Sequence, residues 1–137
     1  MYRILKAGNL SGPNYEMIVE APRVASRCLP GQFIIVKIDE QGERIPLTIT
    51  DYDREKGTIE LVYQPVGLTT SRLKMLKAGD CLMDFVGPLG KPSDLCESEE
   101  PEAIEALKKK KIVFVAGGVG AAYALSLIHI SEPTRRY

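Results

Sequence analysis

The chain has 137 residues, enough for one full domain and little more. Hydrophobic residues make up 45% of it and charged residues 26%, and the formal net charge is zero, so nucleic acid and anionic membrane surfaces are not favoured partners. Met1 does not open a signal peptide and no apolar run is long enough to span a bilayer, which predicts a cytoplasmic protein. Cys28, Cys81 and Cys96 are widely spaced, which predicts reduced thiols and no metal site.

The first part of the chain is predicted to form short strands joined by turns. Apolar residues alternate at Ile59, Leu61 and Tyr63, and a turn signal lies at 12–14. The strands are predicted at 2–6, 15–20, 32–38, 44–50, 58–63 and 81–86, with a connection at 22–31. Because few helical residues intervene, this pattern predicts a mainly β fold, a six-stranded antiparallel barrel. The predicted core residues are Phe33, Ile35, Val36, Ile49, Leu61, Val62 and Leu82.

One short helix is predicted between the fifth and sixth strands. Leu73 gives it an apolar side, and Thr69 or Thr70 can cap its beginning. The helix could plug one end of the barrel. Alternatively, the N–H groups of Thr69, Thr70 and Ser71 could face an anion, with Gly67 allowing close approach of the backbone. The residues alone leave both interpretations open.

The second part of the chain differs in composition. Residues 93–111 carry acids first and lysines last, which predicts a solvent-facing helix in a linker. The uniformly apolar run 112–116 then predicts a strand of a parallel sheet. It leads into Gly117-Gly118-Val119-Gly120, a glycine turn typical of a nucleotide-binding unit. We therefore predict a barrel domain at 1–97, followed at 98–124 by a linker and the truncated start of an α/β domain.

Residues 125–135 do not continue this pattern. They read Leu-Ser-Leu-Ile-His-Ile-Ser-Glu-Pro-Thr-Arg, which matches the translation of a widely used transposase sequencing adaptor. We expect residues 125–137 to lie outside the natural sequence, which would then stop just inside its second domain. His129, the only histidine, therefore carries no functional weight.

Four motifs occur in one order at consistent spacings. They are Pro30-Gly31-Gln32-Phe33, Arg44-Ile45-Pro46-Leu47-Thr48, Val66-Gly67-Leu68-Thr69-Thr70 and Gly87-Pro88-Leu89-Gly90. Together they resemble the flavin domain of the ferredoxin–NADP reductase superfamily. The resemblance is strongest to two of its members, the sulfide dehydrogenase/NADH-dependent ferredoxin:NADP oxidoreductase small subunit and the dihydroorotate dehydrogenase electron-transfer subunit. It implies a Greek-key FAD-binding barrel followed by a nicotinamide-nucleotide domain.

The resemblance also implies a set of cofactor-binding residues. Thr48 would lie near flavin N5, with Pro46 and Leu47 against the ring. Arg44 would meet phosphate, but it stands one residue before the family position, so strand alternation turns it to the other face and leaves its role open. No catalytic acid or base and no metal ligand is implied. The full set is Arg44, Pro46, Leu47, Thr48, Val62, Tyr63, Gln64, Gly67, Thr69, Thr70, Gly118, Val119 and Gly120.

The implied function is that of an FAD-binding electron-transfer subunit of a cytoplasmic oxidoreductase with a larger partner subunit. It would pass electrons between NAD(P)H, FAD and, in the full-length protein, a [2Fe–2S] cluster whose cysteine motif none of the three cysteines matches. One alternative is the dihydroorotate dehydrogenase electron-transfer subunit of pyrimidine synthesis. Another is a small, non-enzymatic barrel that acts as a binding module. We expect the fragment to retain some FAD affinity but to lack NAD(P)H oxidation.

Overall fold

The computed structural model describes residues 1–94, 101–111, 113–121, 124, 125 and 127. The strands are β1 (Tyr2–Ser11), β2 (Asn14–Glu20), β3 (Phe33–Lys37), β4 (Ile45–Asp53), β5 (Thr58–Tyr63), β6 (Cys81–Leu82) and β7 (Asp84–Leu89). The helices are α1 (Pro22–Arg27), α2 (Leu68–Met75) and α3 (Pro101–Lys108). Among these described residues, no helix has the length and apolar character needed to cross a membrane.

The strands form one antiparallel sheet in the order β6-β1-β2-β5-β4-β3-β7. β3, β4 and β5 follow one another, and β2 pairs with β5, which is the Greek-key arrangement. The two end strands belong to one run of chain, because only Met83 separates β6 from β7. The sheet therefore curls into a nearly closed barrel, and the predicted fold class is confirmed.

The described part of the sheet has seven strands, so the predicted number of six is wrong. The single strand predicted at 81–86 divides because its two halves pair with different neighbours. Leu82 lies opposite Tyr2 of β1, whereas Asp84 lies opposite Lys37 of β3. Between them the Met83 N–H donates to the Lys37 carbonyl at 3.0 Å. This change of partner joins the two edges of the sheet and leaves few strand edges exposed.

Side-chain alternation decides which predicted core residues are buried. Val36, Ile49, Leu61 and Leu82 are fully buried, as predicted. Phe33, Ile35 and Val62 are only partly buried, so their assignment to the core is wrong. On β3 the buried positions are Ile34, which is not among the predicted core residues, and Val36, because successive side chains of a strand point to opposite faces. The run 33–36 is apolar at every position, and its sequence therefore gives no signal for the register.

The connection predicted at 22–31 contains α1. Pro22 stands at the beginning of this helix, where its missing N–H costs no hydrogen bond, and Val24 and Ala25 are buried. Gly57, in the turn before β5, has a φ of +66°, and a Cβ built there would lie 2.8 Å from the Cβ of Pro22. The helix therefore packs closely over the β4–β5 turn and covers the core beside it.

After the barrel, the described residues form the predicted helix but not the predicted strand. The predicted helix after the barrel is present as α3. The predicted strand at 112–116 is not formed at residues 113–116, where Val113 is 73% and Val115 94% exposed. A strand forms only where a neighbouring strand pairs with it, and within the described residues none pairs with this segment. The boundary predicted at 97/98 and most of the segment 125–137 lie outside the described residues.

Candidate cofactor-binding site

An open cleft of about 540 Å³ lies beside the barrel, and its first wall comes from β4. Ile45, Pro46, Leu47 and Thr48 line this wall. Backbone pairing places them, since Thr48 lies opposite Phe33 and Pro46 opposite Ile35 on β3. The wall is mainly apolar with one hydroxyl, which suits a flat ring with a polar edge.

The second wall comes from the end of β5 and the segment after it. Val62, Tyr63, Gln64 and Val66 line it. The Gln64 side chain is held in place, because its Nε2 donates to Asn14 Oδ1 at 3.1 Å. Val62 faces the cleft and not the core, which explains its partial burial. The wall therefore offers apolar surface and an oriented amide.

Tyr63 is buried and stacks beside Tyr15, with ring centroids 6.2 Å apart. Burial, and to a lesser degree the neighbouring Tyr15, raises the pKa of Tyr63 to about 12. Its phenol therefore stays protonated at neutral pH and can act as a hydrogen-bond donor at the cleft. It is not a general base.

The beginning of α2 forms one end of the cleft. Gly67 is the N-cap and the helix begins at Leu68, so the prediction that Thr69 or Thr70 caps it is wrong. The Thr70 Oγ1 accepts hydrogen bonds from the N–H groups of Val66 and Gly67, each at 3.0 Å, and donates back to the Gly67 carbonyl at 3.2 Å. Thr70 lines the cleft, but its hydroxyl shapes the turn before the helix.

The N–H groups available at this helix end also differ by one residue from the predicted set. The Ser71 N–H donates to the Gly67 carbonyl at 2.9 Å and is not free for a ligand. The three preceding N–H groups, at 68–70, have no acceptor within the helix, as at any helix beginning. Gly67 has an extended backbone, and a Cβ built there would meet nothing within 4 Å. The approach to these N–H groups is therefore open, and the helix end can bind an anion.

The glycine turn supplies the remaining part of the lining. Val119 and Gly120 line the cleft. Gly118 has a φ of +58°, a left-handed conformation that side chains disfavour, and the Gly120 N–H donates to the Gly117 carbonyl at 3.1 Å. The predicted turn is thus present, and it stands at the same cleft as the β4 motif.

Four of the predicted residues, Arg44, Gly67, Thr69 and Gly118, do not line the cleft. Gly67 and Gly118 are adjacent to lining residues. Thr69 is only 7% exposed, and its hydroxyl lies 3.5 Å from Glu43 Oε2. Arg44 pairs with Asp84, with 2.8 Å between Arg44 Nη2 and Asp84 Oδ2. The structure therefore directs the Arg44 guanidinium to Asp84 of β7, and the contact of Arg44 with phosphate stays a prediction.

Three residues outside the predicted set lie at or beside this cleft. Ile45 and Val66 line the cleft, and Glu43 lies beside the first turn of α2. Ile45 and Val66 belong to two of the four motifs, so their position next to Pro46 and Gly67 could have predicted that they line the cleft. Glu43 is far from α2 in sequence, and no local pattern indicates its contact. Within the described residues, no group of three or more His, Cys, Asp or Glu could hold a metal ion.

Relatives of this chain are known by sequence. It is 56% identical over 122 residues to an uncharacterised protein from the adh 3′ region of Clostridium beijerinckii, covering 89% of this chain and 40% of that protein. It is 35% identical over 119 residues to a Thermotoga maritima homologue of the dihydroorotate dehydrogenase B (NAD⁺) electron transfer subunit, covering 87% and 38%. The chain thus spans about 40% of the length of these curated relatives. No family model matches it.

A solved structure resembles the fold. The NADH-dependent reduced ferredoxin–NADP oxidoreductase, which was studied for flavin-based electron bifurcation, superimposes with a TM-score of 0.76 at 30% identity, covering 96% of this chain and 44% of that one. The sequence relatives, the barrel topology and the structural neighbour all agree with the family that the four motifs resemble. The chain therefore belongs to the ferredoxin–NADP reductase superfamily and is related within it to these oxidoreductase and electron-transfer subunits.

Proposed function

We propose that this chain is the flavin-binding part of a cytoplasmic electron-transfer oxidoreductase subunit, and that the cleft holds FAD. One observation carries the proposal: residues from the β4 motif, the end of β5, the beginning of α2 and the glycine turn all face one cleft. These segments are far apart in sequence, and a barrel that only bound a protein partner would not need them to converge. The related subunits support the same conclusion.

The cleft residues fit the parts of FAD. The isoalloxazine ring would lie against Pro46 and Leu47, where the Thr48 hydroxyl can donate to the ring edge. The segment 62–64 would contact the ribityl chain and the adenine side, with Gln64 oriented by Asn14. The pyrophosphate would lie at the beginning of α2, where the free N–H groups and the helix dipole favour negative charge. Each part of the cofactor thus has a chemically suitable partner among the described residues.

When bound, the flavin supplies hydride and single-electron chemistry that no side chain of this chain can perform. The residues of the chain would orient the ring and donate hydrogen bonds to its edge, and the N–H groups at the beginning of α2 would donate to the phosphates. The Thr48 hydroxyl and the protonated Tyr63 phenol can donate at neutral pH, and neither has to move a proton during turnover. We therefore nominate no catalytic acid or base.

We propose that a nicotinamide nucleotide, NADH or NADPH, approaches the flavin over the glycine turn. A Cβ built at Gly118 or Gly120 would meet nothing within 4 Å, so a phosphate could come close to the backbone there. Val119 and Gly120 belong to the lining of the cleft, which would place this nucleotide next to the flavin ring.

Further partners are proposed for the longer protein that the relatives indicate, since they share only about 40% of their length with this chain. A [2Fe–2S] cluster would be held outside the shared stretch and would pass electrons to a larger subunit.

We propose that the chain divides into a barrel domain at 1–97 and, at 98–124, a linker with the start of a nucleotide-binding domain. The adaptor origin of 125–137 would be refuted by genomic DNA that continues through these codons.

A second candidate function is the electron-transfer subunit of dihydroorotate dehydrogenase, favoured by the Thermotoga maritima relative. The sulfide dehydrogenase/ferredoxin:NADP oxidoreductase type is favoured by the structural neighbour. Neighbouring genes distinguish the two, because a dihydroorotate dehydrogenase catalytic subunit would support the former and a glutamate-synthase-like large subunit the latter.

Titration of FAD into the purified chain tests the central proposal. Binding should quench flavin fluorescence and shift the flavin absorbance band, with one FAD per chain at saturation. Riboflavin, which lacks the pyrophosphate, should bind more weakly because the beginning of α2 would have no anion. A chain that changes neither signal would refute FAD binding and favour the non-enzymatic barrel.

A further inference from the structure

The end of β2 lies behind the second wall of the cleft. The pairing of β2 with β5 ends where Tyr15 lies opposite Tyr63. Gln64 follows the last residue of β5, so the strand pairing does not fix it. Its side chain is held by Asn14 instead, because Gln64 Nε2 donates to Asn14 Oδ1 at 3.1 Å. Asn14 and Tyr15 are not among the described residues that line the cleft, but each contacts a side chain that is.

Asn14 is itself fixed by the turn between β1 and β2. The Asn9 Nδ2 donates to the carbonyls of Gly12 at 2.9 Å and of Asn14 at 3.3 Å. Gly12 has a φ of +53°, which closes the turn tightly, and Asn14 lies opposite Ser11 in the strand pairing. The Asn14 side chain therefore projects from a well-defined turn, and its Oδ1 is a fixed acceptor for Gln64.

This hydrogen bond decides which end of the Gln64 amide a ligand meets. An amide carries its N–H donors on one corner and its acceptor oxygen on the other. Because the nitrogen points to Asn14, the oxygen Oε1 points away from it. Among the described residues, Thr50 Oγ1 is the only fully buried side-chain polar atom without a hydrogen-bond partner, so Gln64 Oε1 is accessible. Since Gln64 lines the cleft, its side chain offers an acceptor there.

We propose that Asn14 is a positioning residue of the cofactor site, which turns the Gln64 amide so that Oε1 accepts a hydrogen bond from the bound flavin cofactor. This inference rests on the proposed function and deepens it, because it requires a hydrogen-bond donor on the ligand at this wall. FAD has such donors in two places, the hydroxyls of the ribityl chain and the hydroxyl and amino groups of the adenosine part. Of these two parts, riboflavin has only the ribityl chain.

A double-mutant cycle tests whether Asn14 acts through Gln64. Dissociation constants of FAD and riboflavin are measured by fluorescence quenching for the 137-residue chain, Asn14→Ala, Gln64→Ala and the double variant. We expect Asn14→Ala to weaken FAD binding about fivefold, since an amide that is not held presents its oxygen only part of the time. In the Gln64→Ala background the same change should alter the affinity less than about twofold. A fivefold loss in that background as well would overturn the proposal.

Asn14→Asp tests the direction of the hydrogen bond. A carboxylate has only acceptors and can still accept from Gln64 Nε2. At high salt, where the added charge is screened, FAD should therefore bind within about twofold of the original affinity. If Asn14 instead donates to Gln64, Asn14→Asp will weaken binding as much as Asn14→Ala, and the assignment of Oε1 as the acceptor will be wrong.

Asn9→Ala is the matched control, because Asn9 stabilises the same turn and its side chain makes no contact with Gln64. We expect this variant to keep the FAD affinity of the original chain. An equal loss in Asn9→Ala and Asn14→Ala would assign the effect to the fold of the hairpin and overturn the proposal. Urea unfolding checks that each variant is folded.

Riboflavin distinguishes the two sources of the donor. A ribityl donor predicts that Asn14→Ala weakens riboflavin and FAD by the same factor, whereas an adenosine donor predicts that only FAD is weakened. Absence of flavin binding by the unsubstituted chain refutes the proposed function, and this inference with it. Normal FAD binding that Asn14→Ala leaves unchanged refutes the inference alone.

Discussion

Thr48→Val is the most direct test of the flavin-edge contact. The substitution keeps the shape of the side chain and removes its hydroxyl at the β4 wall of the cleft. Loss of one hydrogen bond costs about 1 kcal/mol, or roughly fivefold in the dissociation constant of FAD. The loss reaches about 3 kcal/mol, roughly 150-fold, only if a fully buried flavin atom is left unpaired. Because Thr48 is only partly buried, we expect the smaller effect.

Thr50→Val is the matched control, two residues further along β4. Thr50 is 1% exposed, and its Oγ1 has no hydrogen-bond partner among the described residues. Valine at this position removes an unsatisfied buried hydroxyl, so the free energy of unfolding should stay the same or rise by up to about 1 kcal/mol. The affinity for FAD should not change.

Both variants are compared with the original chain by FAD fluorescence titration, by the flavin reduction potential and by urea unfolding. We expect Thr48→Val to bind FAD about fivefold more weakly. Equal affinity together with an unchanged potential would remove Thr48 from the site. If Thr50→Val weakens FAD binding as much, the effect belongs to the strand and not to a hydrogen bond at the flavin edge.

Three further predictions concern the barrel. Because burial raises the pKa of Tyr63 to about 12, the folded state keeps a proton that the unfolded state releases above about pH 10. Between about pH 10 and pH 12 the free energy of unfolding should therefore fall by up to about 1.4 kcal/mol per pH unit. Urea titrations should show a less steep fall for Tyr63→Phe, which lacks the phenol. Burial also raises the pKa of Cys28 to about 11, so a thiol reagent at pH 8 should modify the exposed Cys81 and spare Cys28 until urea unfolds the chain, which labelling and peptide mass spectrometry can check. Gly57→Ala should lower the free energy of unfolding by about 1–3 kcal/mol in the same urea assay, because the residue has φ +66° and the new methyl group would meet Pro22; an unchanged midpoint would contradict this.

The sequence predicts the barrel well where the pattern is local. Alternating apolar residues predict the bounds of β5 correctly at Thr58–Tyr63, although the assignment of Val62 to the core is wrong. The pattern fails where pairing is decided by distant strands. Nothing near Met83 indicates that the chain changes partner there, because the change depends on the Lys37 carbonyl of β3. Helix α1 is also unpredicted, since six residues with two buried side chains give too short a periodic signal.

The candidate site shows the same limit. Motif order predicts that the segments 46–48, 62–64 and 118–120 belong together, and they meet at or beside one cleft. The motifs do not reveal how each side chain is used. The hydroxyl of Thr70 is engaged by the Val66 and Gly67 N–H groups, although its spacing equally suits a phosphate contact. Such details depend on local hydrogen-bond geometry that a motif does not encode.

Side-chain alternation separates stability from binding at two positions of this barrel, Thr48 and Val62. On β5, Leu61 is fully buried whereas its neighbour Val62 faces the cleft, and on β4 Thr48 faces the cleft beside the buried Ile49. Shortening an inward side chain leaves a cavity, which costs about 2–5 kcal/mol when a buried Leu or Ile is replaced by Ala. Shortening Thr48 or Val62 leaves this core packed, whereas Tyr63 both lines the cleft and belongs to the core. Thr48 and Val62 therefore contribute their contact energy mainly when a ligand is bound, and FAD should stabilise the chain in proportion to the logarithm of its concentration above the dissociation constant.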